Sequence, residues 1–329
     1  MGKLFGLRSL VGAAAVAASM GGAAYAQDLK LGLAHNVGPD HVMAETLNYF
    51  ADRVAEFSDG SIEVVVYGGG QMGETRDVVP MMQQGAMDMN KSFHGELEAF
   101  EPSFFVFNVP YLFQDIEHLR RFLYSDAGTE LSESVNDKGF FNLAAYGAEA
   151  RSFYTNKPIR KPEDLDGAKI RVFATPTTNR MVELMGGAPA PIPWGETYSA
   201  IQQGVIDGSE NNITSYVAAR HYEVAKIYSK DEHTMVVDYL SIATKTWDKL
   251  TDEQKSVLKR AARASEEHQQ EVYTIQVADA YKLLEEKGIE IVEVDKEAFR
   301  KSVQPLIDEL MQDPEKAKWI ERARALAAE

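Results

Sequence analysis

The chain has 329 residues, no cysteine, and a formal charge of −16 at pH 7, with 50 acidic and 34 basic residues. This acidic balance argues against nucleic acid as a partner, and the lack of cysteine excludes disulfides, thiolate nucleophiles and Cys-ligated metals. The length exceeds that of one hydrophobic core and predicts two domains.

Residues 1–26 have the pattern of a signal peptide. Lys3 and Arg8 precede an Ala-rich apolar stretch, and an A-x-A cleavage site ends at Ala26. The apolar stretch is shorter than the roughly 20 residues that a membrane-spanning helix requires. We therefore expect cleavage after Ala26 and export to a bacterial periplasm, since a large exported chain without disulfides suits that compartment.

From residue 29 onward, period-2 apolar runs alternate with helical patterns, which is typical of an α/β fold. In the first half, the patterns predict strands at 29–34, 62–67 and 86–92 and helices at 39–58 and 74–84. A second series has predicted strands at 143–155 and 168–172 and helices at 177–185 and 198–203.

The two series share a local pattern, apolar-Gln-Gln-Gly-apolar-apolar-Asp, at residues 82–88 and 201–207. In each copy the glycine is placed to end a helix before a short buried strand. One explanation is chance, because a helix that ends in glycine before a strand is a common arrangement in α/β proteins. The other is a pair of similar lobes, each with its own sheet, that face each other across a cleft, where small-molecule sites are often found.

Residues 251–287 carry one very long helical pattern. Thr251 and Gln254 form a capping box at its start, and Gly288 supplies the stop signal. At 1.5 Å per residue this helix would span about 55 Å, more than the width of one lobe, so we expect it to brace both lobes. The remaining patterns predict a strand at 289–294 and helices at 296–311 and 314–326.

The segment from Gly68 to Gly73 satisfies G-x-G-x-x-G between a strand and a helix. A dinucleotide site is disfavoured for two reasons. The strand before this segment is not the first strand of its α/β unit, and Glu74 would place a carboxylate beside the pyrophosphate. We interpret the glycines as a loop that passes close to a ligand at the cleft edge. No hydrolase, metalloprotease or P-loop motif is present, so the sequence predicts no enzyme activity, cofactor or metal.

Two arginines, Arg151 and Arg171, lie on consecutive predicted strands and could hold a carboxylate through charge-assisted hydrogen bonds. The alternative is that each arginine pairs with a local acid such as Asp164 or Glu149. His35, Asn36 and His94 follow strand ends, where open α/β sheets place their ligands, although each could equally have a simple loop role.

Several segments together resemble the DctP-type solute-binding proteins of TRAP (tripartite ATP-independent periplasmic) transporters, over essentially the whole chain after residue 26. They are GE at 73–74, PYLF at 110–113, RSFY at 151–154, PEDLDGAKIRV at 162–172, residues 191–200 and QGVIDGSEN at 203–211. The resemblance implies an α/β, two-lobed periplasmic solute-binding fold with a ligand cleft between the lobes and a long lobe-spanning helix. We assign residues 27–150 with about 239–270 to lobe 1, and 151–238 with about 271–329 to lobe 2.

The resemblance also implies a monomeric receptor that delivers an organic acid to TRAP membrane permease subunits. Arg171 matches the family's carboxylate-binding arginine, Arg151 matches the supporting arginine, and Asn211 matches the asparagine that helps to fix the ligand. Trp194 would either wall the cleft against a sugar ring or fill the core at the hinge.

Four short segments resemble the branch of the family that binds uronic and related sugar acids: ENN at 210–212, SY at 215–216, RHYEVAK at 220–226 and EH at 232–233. A sugar acid needs one carboxylate clamp and several groups that accept hydrogen bonds from hydroxyls, which Glu74, Asn36, His94 and Asn212 can supply. A C4-dicarboxylate would need a second cationic site, and Glu74 would repel its second carboxylate. We therefore favour a uronate such as glucuronate or galacturonate over a dicarboxylate. An exported enzyme acting on sugar acids, with Glu74 and a histidine as acid and base, is the weaker alternative.

Overall fold

The computed structural model describes residues 29–327. The predicted signal peptide and its cleavage after Ala26 lie outside the described residues. Within the described range, none of the helices combines the length and the apolar character that crossing a membrane requires.

The strands of the described residues are β1 (Leu29–Ala34), β2 (Ile62–Tyr67), β3 (Met89–Phe93), β4 (Phe140–Thr155), β5 (Lys169–Val172), β6 (Ala188–Pro191), β7 (Gly208–Asn211), β8 (Ile227–Ala243) and β9 (Glu290–Val292). The α-helices of the same range are α1 (Val42–Phe57), α2 (Thr75–Gln84), α3 (His94–Leu97), α4 (Ile116–Leu123), α5 (Asp126–Glu133), α6 (Pro176–Leu184), α7 (Thr197–Gln202), α8 (Ile213–Ala218), α9 (Thr244–Trp247), α10 (Asp252–Glu286), α11 (Lys296–Met311) and α12 (Pro314–Arg324).

The strands form one mixed sheet in the order β2-β1-β3-β8-β4-β7-β5-β6, and β9 pairs with β8. In the first half of the chain β1 runs parallel to β2 and β3, and in the second half β5 runs parallel to β6 and β7. Between these two parallel half-sheets lie the long strands β4 and β8, which pair antiparallel with each other. The predicted α/β pattern is confirmed, but the expectation of a separate sheet for each lobe is wrong, because the pairing of β4 with β8 joins the two half-sheets into one.

The local sequence repeat has the same structural role in both half-sheets. The glycine of each copy has a positive φ, 83° in the first and 68° in the second, which glycine adopts without strain. In the first copy Asp88 Oδ2 accepts the Gly32 N–H at 2.8 Å. In the second copy Asp207 Oδ2 accepts the Lys169 N–H at 2.8 Å. Each aspartate therefore ties its own segment to a neighbouring strand, β1 or β5.

The long helix α10 begins at the predicted capping box, in which Thr251 N–H donates to Gln254 Oε1 at 2.9 Å and Gln254 N–H donates to Thr251 Oγ1 at 3.2 Å. Its first part buries Leu258 in the core that α1 shares with the first half-sheet. Its last part buries Leu284 in a core with α8 and Tyr216. The helix therefore packs against both half-sheets, as predicted.

The last two helices pack on different parts of the molecule. Helix α11 packs against α6, while α12 packs against α5 and the 3-10 segment 102–108. His118 Nε2 donates to the Ala323 carbonyl at 2.8 Å, and Glu130 pairs with Arg322 at 2.6 Å. The division into 27–150 with about 239–270 and 151–238 with about 271–329 stays a proposal, and α12 contacts the first half although that division assigns it to lobe 2.

Candidate functional site

A cavity lies between the two half-sheets, at the carboxyl ends of β1, β3, β5 and β7, with β4 and β8 along its base. Open parallel sheets place ligands at this edge because strand ends meet helix starts there. The polar residues that line it are Asn36, His41, Glu74, Lys91, Glu96, Arg151, Arg171, Asn211, Asn212, Ser215, Asp238 and Gln269. Aromatic lining comes from Phe93, Phe173, Trp194 and Tyr273.

Arg171, on β5, is 5% exposed and uses little of its hydrogen-bonding capacity. Its Nε donates to the Ile192 carbonyl at 2.8 Å, and its guanidinium lies over the Trp194 ring at 5.5 Å. Of the five N–H groups of an arginine, the four on the terminal nitrogens have no acceptor among the described residues. Burial lowers the pKa of Arg171, but a guanidinium still stays protonated in proteins. The cavity wall therefore carries a charged fork with free donors.

Arg151, on β4, is buried to a similar degree but is almost fully hydrogen-bonded. Its Nε and Nη2 donate to the two carboxylate oxygens of Glu210 at 2.5 and 2.8 Å, and Nη2 also donates to the Glu210 carbonyl at 2.9 Å. Its Nη1 donates to Asn211 Oδ1 at 2.9 Å. These bonds use four of the five N–H groups, so one donor at Nη1 remains. Arg151 therefore does pair with an acid, but the partner is Glu210 on β7, 59 positions along the chain, and not a local acid.

Behind Arg151 the charges continue as a buried network. His233 Nδ1 lies 2.7 Å from Asp231 Oδ2, and its Nε2 lies 3.2 Å from Glu210 Oε2. Burial alone would lower the pKa of His233, but the two carboxylates outweigh it and raise this pKa to about 9. Burial would likewise raise the pKa of Glu210, yet Arg151 and His233 hold it at about 2. The network thus alternates in sign and fixes the position of Arg151.

Asn211 and Asn212 have amide N–H donors left for the cavity, because their side-chain oxygens already accept hydrogen bonds within the fold. Asn211 Oδ1 accepts from Arg151 and from the Asn212 N–H at 2.9 Å. Asn212 caps α8, and its Oδ1 accepts the Ser215 N–H at 2.9 Å. Both residues line the cavity as predicted, but Asn212 offers N–H groups rather than the acceptor that the sequence suggested.

The opposite side of the cavity is rich in acceptors. Glu74, the N-cap of α2, accepts a hydrogen bond from Asn36 Nδ2, and the buried Asn36 Oδ1 has no hydrogen-bond partner in the described part of the chain. Glu96 Oε2 accepts the Thr75 N–H at 2.8 Å, and burial, followed by the charge of Glu74, raises the pKa of Glu96. Two carboxyl groups therefore lie across the cavity from the arginines.

Two buried pairs of side chains also line the cavity, and the sequence did not predict either pair. Lys91 Nζ lies 3.1 Å from Asp238 Oδ1 on neighbouring strands. His41 Nδ1 accepts the Met43 N–H at 3.0 Å, so its Nε2 carries the proton and donates to Ser215 Oγ at 2.9 Å. Burial, then the charge of Lys91, lowers the pKa of His41 to about 3, which keeps it neutral. A lysine inside the short strand β3 was a signal, because a buried charge needs a partner or a function.

The structure places His94 outside the cavity, contrary to the sequence interpretation. Its side chain is fully buried, with Nε2 3.0 Å from Asn108 Oδ1 and Nδ1 accepting the Val237 N–H at 3.0 Å. Burial, then Arg151, lowers its pKa to about 3. Both ring nitrogens are used within the fold, so none is available to a ligand.

His35 also lies outside the cavity, because its ring packs under the glycine loop. A Cβ at position 68 would lie 2.7 Å from this ring, which explains the glycine there. The N–H of Gly69 donates to the Val37 carbonyl and that of Gly70 to the His35 carbonyl, both at 3.0 Å. These backbone donors are used within the fold and cannot cradle a phosphate.

Trp194 lines the cavity from the 3-10 segment Trp194–Glu196 and is only partly buried. Its ring packs at 4.8 Å from the His221 ring on one side and beneath the guanidinium of Arg171 on the other. Trp194 therefore forms part of the cavity wall and also packs against neighbouring side chains, and its contact with a sugar ring stays a prediction. In residues 29–327, no set of three or more histidine, aspartate and glutamate side chains is arranged to hold a metal ion.

Comparisons with known proteins agree with this architecture. Residues 33–313 match the family model DctP, bacterial extracellular solute-binding protein, family 7. The uncharacterized protein YiiZ of Salmonella typhimurium is 35% identical over 289 residues, which are 87% of this chain and 88% of that protein. The chain therefore belongs to the DctP family of solute-binding proteins, as the sequence segments indicated.

Two solved structures show the same fold. A TRAP periplasmic solute binding protein from Sulfitobacter sp. NAS-14.1, with bound β-D-galacturonate, has a TM-score of 0.87 and 31% identity, and the match covers 90% of this chain and 99% of that one. One from Chromohalobacter salexigens, with bound D-glucuronate, has a TM-score of 0.87 and 29% identity, and covers 90% and 100%. The predicted two-lobed solute-binding fold is confirmed.

Proposed function

We propose that this DctP-family chain is the periplasmic receptor of a TRAP transporter and that it captures a hexuronate, D-galacturonate or D-glucuronate, between its lobes. The observation that carries the proposal is the buried fork of Arg171, with its terminal N–H groups unpaired within the described residues. A planar carboxylate matches this fork through two parallel charge-assisted hydrogen bonds. The uronates bound to the two similar structures support the choice of ligand.

The roles of the other residues follow from their free groups. Arg151 contributes its one remaining Nη1 donor and a fixed positive charge. Asn211 and Asn212 donate amide N–H groups to the carboxylate or to ring oxygens. On the far side, Glu74 and the buried Asn36 Oδ1 accept hydrogen bonds from sugar hydroxyls.

The same arrangement disfavours a C4-dicarboxylate. A second carboxylate would approach Glu74 and Glu96, and like charges at short range in a shielded site repel strongly. Lys91, which lines the same cavity, is already paired with Asp238 at 3.1 Å. A hexuronate instead presents hydroxyl groups to these acceptors, and a site built for hydroxyls rejects a ligand that lacks them.

The wider setting is part of the proposal. The leader at residues 1–26 directs the chain to the periplasm, where it acts as a monomer and passes its ligand to the TRAP permease subunits in the membrane. We assign it no catalytic role, because the free groups of the cavity are suited to holding a carboxylate and hydroxyls without a nucleophile.

Thermal-shift measurements test the ligand class directly. D-Galacturonate and D-glucuronate should each raise the melting temperature, because a ligand that binds only the folded state stabilises it by mass action. Succinate and malate at the same concentration should not. Gluconate, which has the carboxylate but an open chain, tests the requirement for a ring. A rise with succinate and none with either hexuronate would reverse the assignment.

A further inference from the structure

A second cavity adjoins the first on the other side of Arg171. Its wall includes Arg76, Glu96, Ala99, Arg171, Phe173 and Trp194. Four of these residues, Glu96, Arg171, Phe173 and Trp194, also line the main cavity. The two spaces are therefore neighbouring compartments of one cleft, with the Arg171 fork on the wall between them.

The second compartment has the chemistry of a sugar subsite. Trp194 is partly exposed there, and Pro191 and Pro193 extend its apolar surface. The C–H faces of a pyranose ring pack well on such a surface, since an aromatic ring provides a large apolar face. Among the described side chains Arg76 has no hydrogen-bond or ion-pair partner, and it is exposed at the first turn of α2. The compartment thus joins an apolar platform to a cation, Arg76, that lines this compartment and not the main cavity, while Glu96 lines both.

We infer that the cleft binds a disaccharide made of two uronates, with one sugar in each compartment. This inference rests on the proposed hexuronate site, because the first carboxylate binds Arg171. In a uronate the C4 hydroxyl is attached to the ring carbon next to the one that bears the carboxylate. A second sugar that is 1,4-linked through this C4 oxygen therefore extends from the first sugar at a point close to Arg171, where the second compartment opens. Its own carboxylate then reaches Arg76.

Calorimetric titration with two probes tests the inference: D-galacturonate and α-1,4-linked digalacturonate. The full mature chain should bind both, and digalacturonate at least as tightly as the monosaccharide. Arg76→Gln should weaken digalacturonate about fivefold, as expected for an exposed charge pair, and galacturonate by less than about twofold. Arg324→Gln, which removes an exposed arginine outside both compartments, is the matched control and should change neither affinity.

A steric variant makes the test independent of charge. Ala99 is exposed and lines only the second compartment, so Ala99→Trp should fold normally and fill that space. We expect it to weaken digalacturonate by at least about tenfold and to leave galacturonate unchanged, because overfilled space excludes a ring. The inference is overturned if galacturonate binds the wild-type chain and digalacturonate does not. If neither binds, the proposed hexuronate function fails as well.

Discussion

Arg151 and Arg171 are both buried arginines on strands of the second half of the sheet, yet their surroundings differ. Arg151 has four of its five N–H groups bonded and stands in a chain of alternating charges with Glu210, His233 and Asp231. Among the described residues Arg171 has one hydrogen bond, to the Ile192 carbonyl. Burying a charge is costly unless it is paired. The first arginine is thus paired by the fold, whereas the second needs a partner that the fold does not provide.

This difference distinguishes a charge that is paired within the fold from one that is available to a ligand, on one cavity wall. Phe173 contacts Arg151, with its ring 5.0 Å from the guanidinium, and Trp194 contacts Arg171 in the same way at 5.5 Å. Aromatic packing is therefore common to both arginines, and only the carboxylate partner distinguishes them. Perturbed and unpaired charges in a cleft mark candidate binding sites.

The largest expected effect comes from breaking the pairing of Arg151. Glu210→Gln removes the charge but keeps the size, and leaves a buried guanidinium and an imidazolium without their common partner. We expect the free energy of unfolding to fall by about 3 to 5 kcal/mol, measured by urea denaturation followed by circular dichroism. Glu130→Gln, which breaks surface pairs with Lys318 and Arg322, is the control and should cost less than about 1 kcal/mol. Equal losses in both variants would show that the buried network does not stabilise the fold.

A second expected effect is on the pH dependence of stability. The pKa of His233 is raised to about 9 in the fold, from an ordinary value of 6.5. Its contribution is therefore fully present below pH 6.5 and is lost as the pH rises through 9. The free energy of unfolding should fall by about 3 kcal/mol over this interval, at roughly 1.4 kcal/mol per pKa unit.

The measurement is a series of urea denaturations from pH 7.5 to 9.5, which covers the upper part of this interval and should show about 2 kcal/mol of the fall. Burial raises the pKa of Glu98 to about 7, so its own contribution falls with rising pH mostly below this range. Four other histidines have lowered pKa values and therefore change the pH dependence of stability only below pH 6.5. They are His35, His41, His94 and His221. His233→Gln should remove most of the slope. A slope that persists in this variant would assign it to another group.

The smallest of the three effects is on ligand binding at Arg171. Arg171→Lys keeps a positive charge but loses the planar fork, and we expect hexuronate binding to weaken by about 2 kcal/mol, roughly 30-fold. Stability should change by less than about 1 kcal/mol, because no buried acid loses its partner. Titration calorimetry and urea denaturation measure the two quantities.

Arg151→Lys provides the matched comparison for Arg171→Lys. It should lower stability more than Arg171→Lys does, since a lysine cannot reproduce the bonds to both oxygens of Glu210. Its effect on affinity should be smaller, because only one Nη1 donor is free for a ligand. An unchanged dissociation constant in Arg171→Lys would remove Arg171 from the binding site.

The regular elements could largely be predicted from the sequence. Strands β1 and β2 and helix α11 have the predicted bounds, because period-2 alternation and the 3.6-residue period are local properties of the chain. Strand β8 was missed, since nearly all of its 17 residues are buried on both faces and it shows no alternation. Strand β7 was missed because it is short and its buried residues, GSEN, are mostly polar.

The candidate site was predicted only in part. Residues at strand ends, such as Arg171, Asn211 and Asn36, line the cavity because an α/β sheet brings those ends together. His94 also follows a strand, but its ring turns inward to Asn108 and Val237. The direction of a side chain at a strand end depends on the packing around it, which no local pattern records.

The sequence by itself determined the α/β class, the repeated helix-Gly-strand units, the long capped helix and the family, because each depends on residues close together in the chain or on motifs read in order. Only the tertiary structure decided which arginine is free. Arg151 meets Glu210 across 59 positions of the chain, and Lys91 meets Asp238 across 147. Such pairs depend on strand register across the sheet, where β4 runs beside β7 and β3 beside β8. The terminal N–H groups of Arg171 have no such partner among the described residues.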